Sequence, residues 1–286
     1  MAQKTLTYYY EKARKEKWAL AQFNFSCAEQ LQGIVQAAVN KRSPLLVGTS
    51  EGDAGFLGIH QAVALVGAYR KEFNIPIFLN FDHAKSLQSI RAAIEAGYDA
   101  VHIDASRLGL EENILLTRRV VQLARKNRIQ VVEGEIGEIP GHSTVYRSRT
   151  SKKSMFSDPN QAERFAKETG VDNLAVNIGS AHGIYKGGEH LNLQLLQEIK
   201  KRVQCGLVLH GGSGVNAKDV LSAIKLGVVK VNISTDLRLA FSTKLREVLL
   251  RNPEEITPYN IFPPVVEAVQ KVAAKHMQFF GSANKI

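Results

Sequence analysis

Eight times along this 286-residue chain a short apolar run is followed by a stretch of helical periodicity, and that alternation constrains the fold more than any other feature. ALAQFNF precedes 29–39, PLLVGTS precedes 58–70, PIFLNFD precedes 87–96 and DAVHIDA precedes 110–126. IQVVEGE, NLAVNIG, GLVLHGG and VVKVNIS then precede helical stretches at 160–169, 192–203, 217–225 and 237–250. Runs so continuously apolar belong to strands buried on both faces, as in a parallel sheet covered by helices. Eight such units in a chain of this length predict an α/β fold, a (β/α)8 TIM barrel, as a single domain over 1–286. Residues 263–279 read as an additional C-terminal helix ended by Gly281, and no Pro/Gly/Ser-rich linker interrupts the series.

Three histidines follow three of these runs: His83 after PIFLNFD, His182 after NLAVNIGSA and His210 after GLVL. Their wide spacing excludes a local finger motif, so they meet only where a closed barrel gathers its strand ends. Neutral imidazole is a favoured zinc ligand, and three protein ligands with one open position make a catalytic site. His102 reads as a hydrogen-bonded core residue, and His60, His190 and His276 have no supporting context; all four are left outside the site.

The 37 Lys and Arg residues outnumber the 27 Asp and Glu, for a net charge of +10, yet they are scattered. Solvated helix faces account for them, and such a field also favours an anionic substrate. Only 147–153 (RSRTSKK) is densely basic, so nucleic-acid binding is a minor alternative. No apolar run approaches the ~20 residues that cross a bilayer, which predicts no membrane partner. Two cysteines, Cys27 and Cys205, and an N-terminus without signal-peptide character predict a reducing, cytoplasmic setting.

FDHAKS, VHIDAS, VVEGEIG, TGVDNLAVNIGSAHGIY, LVLHGGSG and KVNISTDL, in that order, resemble the signature segments of the class II, metal-dependent ketose-bisphosphate aldolases. The resemblance runs from Asn24 to the closing FGSANK, and GSAHG with LHGGSG is the specific combination. It implies His83, His182 and His210 as ligands of a Zn2+ ion. Asp82 would polarise, or exchange a proton with, the hydroxyl at the cleavage carbon. Asp104 and Glu135 would contact a second divalent metal position; Glu133, two residues before Glu135, faces the same way in an extended strand.

The resemblance also implies a phosphate site. Gly211, Gly212 and Ser213 follow one run and Asn232, Ser234 and Thr235 follow the next, where small residues let backbone N–H groups approach an anion. Gly183 and Lys186 match a phosphate and monovalent-cation loop, and Asn24 and Ser50 match positions at the ketose end of the substrate. The implied activity is reversible cleavage of a phosphorylated sugar, fructose 1,6-bisphosphate, to dihydroxyacetone phosphate and glyceraldehyde 3-phosphate, by a homodimer or homotetramer. Another ketose phosphate such as tagatose 1,6-bisphosphate, or a non-catalytic metal- and phosphate-binding barrel, is the alternative.

One segment departs from the family. Relatives carry a loop reading GG, a variable residue and an acidic pair, whose glutamate moves a proton on the aldehyde side; here 139–144 reads IPGHST and the glutamate falls at Ser143. A serine hydroxyl is a poor general acid near neutral pH. The loop, about 136–156, is long enough to be a lid. His142 is the expected catalytic replacement, since imidazole suits proton transfer, with Glu138 and Tyr146 behind it and Arg147 and Arg149 as a clamp for an anionic aldehyde. A lysine Schiff base is disfavoured: NLAVN carries Asn177 where such a lysine would stand, and Lys230 lies beside the phosphate segment.

Overall fold

A computed structural model describes residues 4–146, 156–185 and 189–286. Lys186, Arg147 and Arg149 lie outside these, as do the side chains of Ser143 and Tyr146. The strands are β1 (Leu20–Asn24), β2 (Leu45–Ser50), β3 (Ile77–Ala84), β4 (Ala100–Ile103), β5 (Val131–Ile136), β6 (Gly141–Tyr146), β7 (Asn173–Val176), β8 (His182–Tyr185), β9 (Gly206–Leu209) and β10 (Val228–Ile233). Eight of them close a parallel barrel in the order β1-β10-β9-β7-β5-β4-β3-β2. The remaining pair, β6 and β8, forms a small parallel sheet of its own.

The first six helices are α1 (Leu6–Glu16), α2 (Ala28–Lys41), α3 (Glu51–Leu57), α4 (Ile59–Glu72), α5 (Leu87–Ala96) and α6 (Leu110–Lys126). They are followed by α7 (Pro159–Thr169), α8 (Leu193–Arg202), α9 (Ala217–Lys225), α10 (Thr235–Arg251), α11 (Pro258–Ile261) and α12 (Pro263–Phe279). The (β/α)8 architecture predicted from the alternation is therefore the one observed, with α12 as the expected C-terminal helix and α1, α3 and α11 beyond it. Local chemistry sets the helix ends: the Asp158 side chain accepts the Gln161 N–H ahead of Pro159 at the start of α7, and Gly97 closes α5 in the left-handed region. α12 lies on α2, where a Cβ on Gly33 would come within 2.6 Å of the Val266 carbonyl oxygen.

Two layers fill the barrel differently. At its N-terminal end the inward residues Leu20, Leu46, Phe78, Ala100, Val131 and Val229 meet Leu6, Tyr9, Tyr10 and Ala13 of α1, with Trp18, so that α1 stoppers the barrel with apolar side chains. Burying each large one is worth ~1.5–3 kcal/mol. Further up, the inward residues are polar: Gln22 donates to Asn24 and accepts from Asn80, and Asn24 donates to Asp82. Apolar contacts thus close one end and leave the chemistry to the C-terminal end, where sites of this barrel form. Among the described residues no helix is long and apolar enough to cross a membrane.

Candidate active site

Asp82 and His83 are adjacent, so in a regular strand they would point to opposite faces. The β3–β4 register runs Asn80↔Ala100, Phe81↔Val101 and then Ala84↔Ile103, leaving two residues of β3 opposite the single His102. This bulge, with His83 in the left-handed region at φ 53°, turns both Asp82 and His83 toward the barrel interior. Ala84 rejoins the outer core packed under the helices. A similar shift in β10 at Val228/Lys230 brings Lys230 inside.

The histidines converge. The His83 ring centroid lies 4.6 Å from that of His210 and 4.9 Å from that of His182, and His182 and His210 are 6.0 Å apart. His83 Nε2 and His210 Nδ1 face each other at 2.9 Å. Potential ligand atoms of Asp82, His83, His102 and His210 all lie within 4.8 Å of one another, as do those of His83, Asp104 and Glu135. His83 belongs to both groups; its Nδ1 is 3.2 Å from Asp104 and 3.8 Å from Glu135. Imidazoles with carboxylates make a donor set suited to a divalent transition ion, and the buried Glu135 Oε2 has no hydrogen-bond partner, as expected of an oxygen that could serve a cation. His182 reaches the group from β8, six residues beyond the end of β7 and outside the barrel sheet.

Charge is strongly redistributed in this cluster. Burial raises the Asp82 carboxyl, but His83 above all, together with Lys230 and His210, outweighs burial and holds Asp82 well below the usual carboxylate range. Burial lowers His83, yet Asp82, Asp104 and Glu135 together push it up to about 9. Burial, with His83 beside it, lowers His182 well below its ordinary value and His210 to about 4. Burial and the neighbouring Asp104 raise Glu135 to about 8.

Glu133 has a definite role in this geometry. One oxygen lies 2.7 Å from His210 Nε2 and the other accepts from Lys230 Nζ at 2.6 Å, so Glu133 fixes the His210 ring with Nδ1 toward His83. Lys230 is buried and ion-paired, which removes it as the nucleophilic amine of a Schiff base.

Above the cluster opens a cleft of about 370 Å³, lined among others by Asn24, Ser50, Asp82, His83, Asp104, His142, His182, Gly183, Gly211, Ser213, Asn232, Ser234 and Thr235. His210 and Glu135 lie beneath it, and Gly212 is buried behind Gly211. Gly211 is at φ 69°, and a Cβ there would stand 2.1 Å from the Ala181 carbonyl oxygen, so only glycine brings this loop against the chain leading to His182. Ser234 stands at the N-cap position of the 17-residue α10 without a capping hydrogen bond, the first amides of that helix offer an anion site, and the buried Ser234 Oγ has no partner. Lys85, Arg107 and Arg238 also line the cleft, a cationic contribution that sequence reasoning missed because each looks like one more surface charge. Ser50 hydrogen-bonds Asp53 in a capping box at the start of α3, and Arg238 pairs with the same Asp53 at 2.9 Å.

β6 carries His142 along the cleft wall, with Gly141 paired to His182 and the His182 N–H donating to the Pro140 carbonyl at 2.7 Å. The divergent loop is therefore tied to the strand that bears a candidate ligand. Glu138 faces Arg107 at 3.1 Å on the rim. His102, placed outside the site on sequence grounds, is wholly buried within the cluster.

The family description "Fructose-bisphosphate aldolase class-II" matches residues 4–285. The chain belongs to the class II fructose-bisphosphate aldolase family. The aldolase is 35% identical over 276 residues to the probable fructose-bisphosphate aldolase of Bacillus subtilis (strain 168), covering 96% of this chain and 95% of that protein. It is equally similar, at the same coverage, to the fructose-bisphosphate aldolase of Geobacillus stearothermophilus. The crystal structure of the YdjI aldolase from Escherichia coli K12 matches it with a TM-score of 0.84 at 29% identity, over 99% of this chain and 98% of that one. As a class II aldolase it is a metal-dependent lyase that acts on a phosphorylated sugar.

Proposed function

We propose that this aldolase cleaves fructose 1,6-bisphosphate reversibly to dihydroxyacetone phosphate and glyceraldehyde 3-phosphate, with a Zn2+ ion held by His83, His182 and His210. The observation that carries the reading is the convergence of three imidazoles within 4.6–6.0 Å beside a glycine–serine loop and a helix N-terminus. Such an ion supplies Lewis-acid stabilisation of the negative charge that develops beside the ketose carbonyl. Asp104 and Glu135 would hold a second divalent ion, and Gly183 with Lys186 a monovalent cation near the phosphate.

The chain's own groups do the rest. Gly211, Gly212, Ser213, Asn232, Ser234 and Thr235 bind the phosphate of the dihydroxyacetone end, while Asn24 and Ser50 orient the ketose. A carboxylate held as far down the scale as Asp82 stays ionised and takes protons poorly. Asp82 therefore polarises the hydroxyl of the carbon that leaves as the aldehyde, and Asn24, donating at 2.9 Å, keeps its carboxylate aimed. In the transfer step the hydroxyl turns its single proton from Asp82 to His142, which takes it in cleavage and returns it in condensation. The electron pair of the broken carbon–carbon bond moves toward the carbonyl, and a proton from solvent on the carbon left behind completes dihydroxyacetone phosphate.

The loop that lacks the acidic pair favours a second reading, an aldolase for a different ketose phosphate such as tagatose 1,6-bisphosphate, because the choice between the two sugars depends on the stereochemistry at one carbon and on lid geometry. A cleavage screen over phosphorylated ketoses, with product stereochemistry, separates them: preference for fructose 1,6-bisphosphate supports the first reading. Cleavage of no ketose phosphate by the zinc-loaded protein would leave a non-catalytic binding barrel. A homodimer or homotetramer is supported by the exposed apolar side chains Leu250, Ile256 and Tyr259, and light scattering giving a monomer mass would contradict it. Two unpaired cysteines support a cytoplasmic location.

A further inference from the structure

We propose that His102 is a positioning residue: its Nδ1 accepts the backbone N–H of His83 and so holds the bulge that turns Asp82 and His83 into one cleft. The bulge sets two residues of β3 against His102 alone, and a bulge leaves its extra residue without a ladder partner. The His83 N–H, which the β-ladder does not use, points to His102 Nδ1 at 3.2 Å. A buried amide left unsatisfied is costly, so the side chain opposite the bulge decides whether this backbone geometry is retained.

The same contact assigns the ring. A backbone N–H only donates, so Nδ1 is the acceptor, and the 3.4 Å approach of Asp82 Oδ1 to that nitrogen has no proton between the two atoms. The single lone pair of Nδ1 is thereby occupied and is not offered to a metal. The proton sits on Nε2, which has no hydrogen-bond partner and faces Glu135 Oε2 at 3.5 Å. His102 thus touches both halves of the candidate metal cluster while ligating neither: it fixes the His83 backbone on one side and faces Glu135 on the other. A conformation at φ 53° is uncommon for a non-glycine residue and persists where its surroundings hold it.

The inference rests on His83 being a metal ligand, and the test separates the two claims. Zinc affinity is measured by competition with a chromophoric chelator for the parent, His83→Ala, His102→Asn, His102→Gln and His102→Leu, together with the visible spectrum of each Co2+-loaded protein. An asparagine carries Oδ1 where histidine carries Nδ1, whereas glutamine reaches toward the Nε2 position. His102→Leu and His102→Gln should weaken zinc binding by about 10–100-fold, as loss of an outer-shell partner does, and shift the Co2+ bands. His102→Asn should stay within a few-fold of the parent and keep its spectrum. Equal losses in His102→Asn and His102→Gln, or parental affinity in His102→Leu, would overturn the proposal. If the leucine variant does not fold, the asparagine–glutamine comparison decides alone. Parental affinity in His83→Ala would instead remove the ligand reading on which the proposal stands.

Discussion

His83 is asked to do incompatible things: sit half-buried among carboxylates that favour its protonated form, and present a neutral nitrogen to a metal. Burial pulls it down but Asp82, Asp104 and Glu135 raise it to about 9, and Glu135 is raised to about 8. A ligand must shed its proton to bind, so zinc uptake near neutral pH releases protons, and affinity rises with pH until it levels off above about 9. Calorimetry in buffers of different ionisation enthalpy measures the proton release; a heat independent of buffer would contradict it. Glu133→Gln should loosen His210 and weaken zinc binding by ~10–100-fold. Lys230→Met leaves a buried carboxylate uncompensated and should cost ~3–5 kcal/mol in denaturant unfolding, with no change in unfolding midpoint as the contrary result. Ser213→Ala should raise KM for the ketose phosphate while metal content stays unchanged, because a phosphate contact exists in the ground state and the transition state alike; unaltered kinetic constants would take Ser213 out of the site.

At the scale of elements, α5, α6, α9 and α12 form where their periodicity predicts, because apolar spacing and capping residues are local signals. What the sequence did not disclose depends on contacts made across the barrel. The bulge at Asp82–His83 is visible only once β3 is registered on β4, so His102, two residues before Asp104, looked like core. Lys230 was legible only as a residue beside the phosphate segment, because its buried partner Glu133 stands 97 positions away. The β6/β8 pair escaped because GHSTVY has no long apolar run and begins at the glycine of the turn dipeptide Pro140–Gly141, which reads as loop. That pair carries the central departure from the family. His142→Ala should lower cleavage turnover by ~10²-fold or more, while solvent exchange of the dihydroxyacetone phosphate proton survives, and Ser143→Glu should help His142→Ala more than it helps the parent. Parental turnover in His142→Ala would pass the role to Glu138 or Tyr146. α1 provides the contrast: Leu6→Ala should destabilise the fold by ~2–5 kcal/mol and leave zinc affinity intact, since its contacts are at the sealed end.

Across the whole molecule, one end of the barrel is plugged with apolar side chains and the other concentrates histidines, carboxylates and small phosphate-type loops. The scattered positive charge favours an anionic substrate without marking where it binds, which is why Lys85, Arg107 and Arg238 at the cleft could not be told from the other cations in the sequence. In the proposed reaction a metal rather than a lysine is the electrophilic partner of the carbonyl. The most direct test is fructose 1,6-bisphosphate cleavage in a coupled assay, before and after exhaustive chelation and again after zinc is returned, with borohydride added to a parallel sample. The account predicts that chelation abolishes cleavage, that zinc restores it and that borohydride attaches no substrate to the chain; full activity in the chelated protein, or substrate trapped on Lys230, would contradict it.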